Sequence, residues 1–145
     1  MVVASADGWV PEAAVVERLS SLPCIVIAPD GAAGPHPLAD TVAQYERLRQ
    51  ACTAIGRDPA SLRLSAALVT CCGTNDAEVA RRAESIGRDL EDLRAHAAAG
   101  SPEQVVERLI SFAEAGTDTV YLQLRDINDL DQIRLLAEEV LPHLI

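Results

Sequence analysis

The sequence predicts an α/β fold with parallel strands, and three features predict it. A helix marked at both ends runs directly into a β-branched segment at 101–124, an apolar run at 62–70 lies between two helical stripes, and helix-type and strand-type periodicities alternate along the chain.

The stretch 101–124 is the clearest. Ser101 is an N-cap, Pro102 suits the first helical position, and Gln104 stands three residues after the cap, the S-x-x-Q capping box. Val105, Val106, Leu109, Ile110, Phe112 and Ala113 recur at helical spacing, with Glu103, Glu107, Arg108 and Glu114 on the other side. Gly116 ends the helix in the left-handed conformation, and 119–124, rich in β-branched and aromatic residues, reads as a strand. Beyond the polar loop 125–129, Asp129 caps a last helix whose stripe is Ile133, Leu136, Ala137 and Val140, before Pro142.

The same order appears upstream. Asp40 caps a helix with Val42, Tyr45, Leu48, Cys52 and Ile55 on its apolar face, ended by Gly56. The run 62–70 is apolar at nearly every position, as suits a parallel strand covered on both faces. After Gly73, Thr74 or Asn75 caps a helix carrying Val79, Ala80, Ala83 and Ile86, and 90–97 adds a shorter helical piece. The first forty residues are less legible: a short segment at Ala6-Asp7-Gly8-Trp9, a helix at about 11–22, an apolar run at Cys24–Ala28 that fits an extra strand, and a Gly/Pro-dense connection at 29–37.

The chain has 145 residues, 49% of them hydrophobic, enough for one domain with a core. Without a long apolar run or a basic start followed by one, the reading is a cytoplasmic protein with no membrane span. All 12 basic residues are Arg and face 22 acidic ones, and the net charge of −10 argues against nucleic acid and anionic membranes as partners. Cys24, Cys52, Cys71 and Cys72 form no CxxC pair and no Cys/His cluster of zinc spacing, so no metal is assigned. Cys71 and Cys72 are adjacent at a strand end, where successive side chains take opposite faces, and read as buried reduced thiols.

Taken in chain order, Ala6-Asp7-Gly8-Trp9, Gly56-Arg57-Asp58-Pro59, the strand 62–70, Gly100-Ser101-Pro102-Glu103-Gln104-Val105, Glu114-Ala115-Gly116 and Val120-Tyr121-Leu122-Gln123 resemble the C-terminal half of the luciferase-like monooxygenase family. The likeness is to its F420-dependent members, common in actinobacteria, and runs over nearly the whole chain. The exception is 22–37, read as an irregular insertion within a single domain 1–145. The resemblance implies a (β/α) barrel that binds FMN or F420 at the C-terminal ends of its strands and transfers hydride to or from a small organic substrate. A complete barrel takes about 250 residues. Here about three parallel family strands with covering helices are placed, at the Asp7-Gly8-Trp9 segment, 62–70 and 119–124, which makes a partial TIM-type barrel. The family's early strands and its glycine-rich phosphate stretch have no counterpart.

In a parallel barrel, functional groups sit after strand C-termini. Arg125 follows the last strand and is the candidate to hold an anionic cofactor group, since guanidinium grips phosphate and carboxylate with a fork; the competing reading pairs it with Asp126 or Asp129. Trp9 is the candidate to pack on a cofactor or substrate edge, with ordinary core as its competitor. The amides at 100–103 are occupied by the capping box. His36, His96 and His143 lie away from predicted strand ends, and no nucleophile elbow, Walker loop or dinucleotide fingerprint is present, so no catalytic residue is assigned.

The leading expectation is therefore a truncated flavin- or F420-dependent oxidoreductase, inactive alone. It would self-associate or accept a complementary N-terminal barrel fragment, because three parallel strands leave open edges. The alternatives are a non-catalytic acidic α/β interaction module that keeps only the fold, and a longer protein whose glycine-rich turn is encoded upstream of Met1.

Overall fold

A computed structural model describes residues 2–5, 24–28 and 37–144. Trp9, His36 and the helix expected at about 11–22 lie outside them. The strands are β1 (Val2–Ser5), β2 (Cys24–Ala28), β3 (Arg63–Cys72), β4 (Ala98–Gly100) and β5 (Thr119–Gln123). The helices are α1 (Pro37–Ala54), α2 (Asp76–Ser85), α3 (Leu90–His96), α4 (Pro102–Glu114) and α5 (Leu130–Leu135). A π-turn at Leu136–Val140 and a 3₁₀ turn at Leu141–His143 follow α5.

Among the described residues every strand pairing is parallel, as the helix-strand alternation predicts. Strand β1 pairs with β2, β2 with the first half of β3, and β5 with Ser65 to Val69 of β3. The three-residue β4 extends the sheet beside Thr70 to Cys72. Of the three strands placed from sequence, those at 62–70 and 119–124 are β3 and β5, and the Asp7-Gly8-Trp9 segment lies outside the described residues; the apolar run Cys24–Ala28, inside the span 22–37 read as irregular, is the extra strand it fitted. The strand near the start is Val2–Ser5, directly before Ala6-Asp7-Gly8-Trp9. Leaving aside β4, the order β1-β2-β3-β5 is a run of four parallel strands.

Strand β3 is the central rod: Leu64 and the following even-numbered residues feed two cores in succession along one face, and Cys71 feeds a third on the other. Leu64 meets Tyr45, Leu48 and Cys52 of α1. Ala66, Leu68 and Cys72 pack with Val105, Leu109 and Phe112 of α4 and with Leu136 and Val140. Cys71 takes the other side, with Val79 and Ala83 of α2 and Leu93 of α3. The neighbouring thiols therefore sit in different clusters, as strand alternation requires.

Local signals act largely as read. Ser101 and Gln104 form the capping box, and Gly116, at φ 93°, ends the turn after α4. Asn75, rather than Thr74, caps α2 by accepting the Glu78 N–H. Several expectations are corrected. Helix α1 begins at Pro37, a turn before Asp40, because proline tolerates the first turn, where its missing N–H costs nothing. On α2 Ala80 is exposed and Arg82 is buried in its place. On α5 Ile133 is exposed and Gln132 faces inward, since 132, 136 and 140 share one face. Val42 and Ile55 of the α1 stripe, Ile110 and Ala113 of the α4 stripe and Ala137 of the last stripe also remain exposed.

Candidate functional site

The loops after β3 and β5 occupy the C-terminal ends of the two strands where barrel chemistry would reside. At their junction lies a buried polar knot that the sequence reading missed. Because β5 ends at Gln123, opposite Val69, the backbone of Cys72 has no strand beside it on that edge. Side chains take over. Gln132 Oε1 accepts the Cys72 N–H at 2.8 Å, and Arg82 Nη1 donates to the Cys72 carbonyl at 2.6 Å. The rest of the Arg82 fork grips Asp129, through Nε at 2.7 Å and Nη2 at 3.3 Å. Asp129 in turn caps α5 by accepting the Gln132 N–H at 2.9 Å. One guanidinium, 4% exposed, thereby ties α2, β3 and the start of α5.

The electrostatics follow. The hydrogen bond from Arg82 holds the Asp129 carboxyl below the usual carboxylate range, helped by the Gln132 N–H. Burial raises the thiol of Cys71 and pushes Cys72 up to about 11, with Arg82 opposing the shift in both. Both are neutral thiols at physiological pH and poor nucleophiles.

Arg125 is exposed, and among the described residues it makes no ion pair. The Asp129 partner considered for it belongs to Arg82. Next to this loop is an open cavity of about 510 Å³ lined by Arg81, Asp126, Asn128, Asp129, Asp131 and Arg134. Three carboxylates against two guanidiniums, one of them bonded to Asp131 at 3.0 Å, do not make a phosphate seat. His96 directs Nδ1 at the Asp92 carboxylate and carbonyl, 3.0 Å each, away from either loop. His143 lies in the C-terminal turn, lining a 390 Å³ groove between α4 and β5. Among the described residues no group of three His, Cys, Asp or Glu side chains gathers as a metal site would need, and no helix is long and apolar enough to cross a membrane.

No family model matches the sequence, and no curated protein matches it. Solved structures do. The coenzyme F420-dependent tetrahydromethanopterin reductase of Methanopyrus kandleri aligns over 97% of this chain and 50% of its own, with TM-score 0.66 and 14% identity. The FMN-bound oxygenating constituent of 3,6-diketocamphane monooxygenase from Pseudomonas putida gives 97%, 48%, 0.67 and 17% for the same measures. A monooxygenase from Streptomyces bottropensis gives 99%, 48%, 0.61 and 18%. The fold, parallel strands covered by helices, is the one these enzymes have over half of their length. At these identities the likeness is one of architecture, and the chain spans about half the length of the structures it matches.

The residues on the described strand ends do not by themselves fit a flavin or F420. The buried guanidinium is committed to Asp129, the thiols are buried and neutral, and the adjoining cavity has an excess of carboxylate. What they supply is part of a wall, with Tyr121, Gln123 and Arg125 exposed along and after β5.

Proposed function

We propose that this chain is the C-terminal portion of a luciferase-like flavin- or F420-dependent oxidoreductase, without turnover until further strands complete the barrel. The observation that carries this is the alignment of nearly all of the chain with half of such enzymes, together with the parallel pairing of its own strands. In a completed barrel Arg125 would hold an anionic group of the cofactor and Trp9 would pack on its ring or on the small organic substrate. The test is a titration of the purified chain with FMN and with F420, followed by fluorescence. The expected result is no saturable binding in the micromolar range, and saturable binding by the chain alone overturns the reading.

A second reading, a non-catalytic fold remnant that associates with itself, is favoured by a separate observation. The buried polar groups at the strand ends satisfy one another instead of pointing to a ligand. It predicts no flavin affinity under any pairing.

A further inference from the structure

We propose that the open cavity of about 360 Å³ between the end of α3 and the side of α4 binds a small zwitterion of the α-amino acid class. Arg108 and Arg94 take its carboxylate and Glu107 takes its ammonium. The site draws on no residue of the loops after β3 and β5, and so goes beyond the oxidoreductase reading.

The lining comes from two helices and a strand. Gln104, Glu107, Arg108 and Ser111 recur at helical spacing on a face of α4 distinct from that of Val105, Leu109 and Phe112, which packs into the core. Arg94 closes the cavity from α3, and Ala99 of β4 forms part of its wall. The volume stands near the low end of ligand pockets, about 300 Å³, which suits a small molecule.

The hydrogen-bond inventory identifies the charges of the ligand. Arg108 uses only Nη2 on the protein, donating to the Arg94 and Ala95 carbonyls at 2.7 and 3.3 Å near the end of α3. Among the described residues its Nε and Nη1 have no acceptor. Arg94 is tied to Asp76 at 2.6 Å and to Glu91 at 3.4 Å, but those carboxylates are 87% and 82% exposed, and such pairs hold an arginine weakly. Its Nε is buried without an acceptor, a donor that protein interiors seldom leave unpaired. A turn of this guanidinium from Asp76 toward a bound carboxylate satisfies it. Gln104 gives its Oε1 to the Ser101 N–H at 2.9 Å, which leaves its amide nitrogen as a further donor. Donors converge here, and guanidinium forks recognise carboxylates.

Glu107 decides against a plain anion. Its carboxylate lines the same cavity and has no ion pair among the described residues, although it neighbours a guanidinium with free donors. A phosphate on Arg108 would meet this negative charge, whereas an α-amino acid carries an ammonium beside its carboxylate and satisfies both. Ser111 Oγ donates to the Arg108 carbonyl at 2.7 Å and keeps lone pairs that accept from the same ammonium.

The test is a titration of the cofactor-free full chain, followed by the backbone amide shifts of a nitrogen-labelled sample, with L-alanine, acetate, ethylammonium and inorganic phosphate as separate probes. Expected are saturable shifts at Arg94, Gln104, Glu107, Arg108 and Ser111 with L-alanine, at an affinity about tenfold above acetate and ethylammonium, each of which makes only one of the two charge contacts. Glu107→Gln changes an exposed side chain outside the core and is expected to weaken L-alanine about tenfold without weakening acetate. No saturable shift with L-alanine overturns the proposal. So does phosphate or acetate binding as tightly as L-alanine, which marks a plain anion site. Shifts confined to other surfaces, or an L-alanine affinity unaltered in Glu107→Gln, also overturn it. These probes contain no flavin, so their failure is separate from that of the cofactor titration.

Discussion

At the scale of single residues, Arg82 carries more of the structure than any other polar side chain described. Breaking a buried ion pair by removing one partner typically costs about 3–5 kcal/mol, because the other charge is left uncompensated. Asp129 keeps some solvent contact, at 12% side-chain exposure, which places Arg82→Met near the lower bound, about 3 kcal/mol, read from urea denaturation. Double replacement, Arg82→Met with Asp129→Asn, is expected to recover part of that loss. The pair also sets an acid limit. Asp129 is held low by Arg82, and Asp92 by the hydrogen bond from Arg88 and then by His96. A carboxylate depressed in the folded state stabilises it fully above its ordinary value of about 3.9, and that contribution disappears as pH falls through the lowered one. Stability is expected to decline below about pH 5, with a shallower slope in Arg82→Met. The thiols give a third check at this scale. Raised by burial, Cys71 and Cys72 should resist a disulfide reagent near pH 8 in the folded chain and react fully in denaturant.

At the scale of elements, the β4–α4 junction depends on glycine. Gly100 has φ 144°, outside what L side chains readily adopt, and a Cβ there would run into Gln104, the residue that closes the capping box on the Ser101 N–H at 2.9 Å. Gly100→Ala therefore strains the backbone and opens the box together. The expected loss exceeds about 1 kcal/mol, more than an ordinary capping substitution, measured by thermal unfolding. The other ends follow the same logic of satisfying orphan amides, with Asn75, Asp89 and Asp129 each accepting a backbone N–H within its own first turn.

At the scale of the whole molecule, any pairing of this chain with itself would bring like charges together, since its net charge is −10. Screening shortens their reach from about 30 Å at 0.01 M salt to about 8 Å at 0.15 M. Self-association is therefore expected to strengthen as salt rises over that range, checked by sedimentation. Pairing driven by opposite charges would weaken instead. The central position of β3, bonded along both edges, makes its amides the slowest to exchange whether or not a second copy is bound.

Alone, the sequence determined the class, the helices from α2 onward to within a turn, the parallel character of the sheet and the opposite placement of Cys71 and Cys72. Those features are written in local chemistry: caps, glycine stops, and the periods of helix and strand. It also reached the half-barrel resemblance through short motifs in order. Only the tertiary structure decided which polar residues go inside. Arg82 follows an adjacent Arg81 and has the more apolar Ala80 nearby, and Gln132 sits beside the more apolar Ile133, so composition pointed the wrong way in both cases. Their burial is dictated by a distant fact, that β5 stops short and leaves the Cys72 backbone without a strand to bond. A signal was present in the spacing of 132, 136 and 140 and in the alignment of 82 with 79, but it acquires meaning only once the unpaired edge is known. The strand at Cys24–Ala28 was visible as an apolar run, and its place between β1 and β3 was not, because strand order is a property of contacts between segments far apart in sequence.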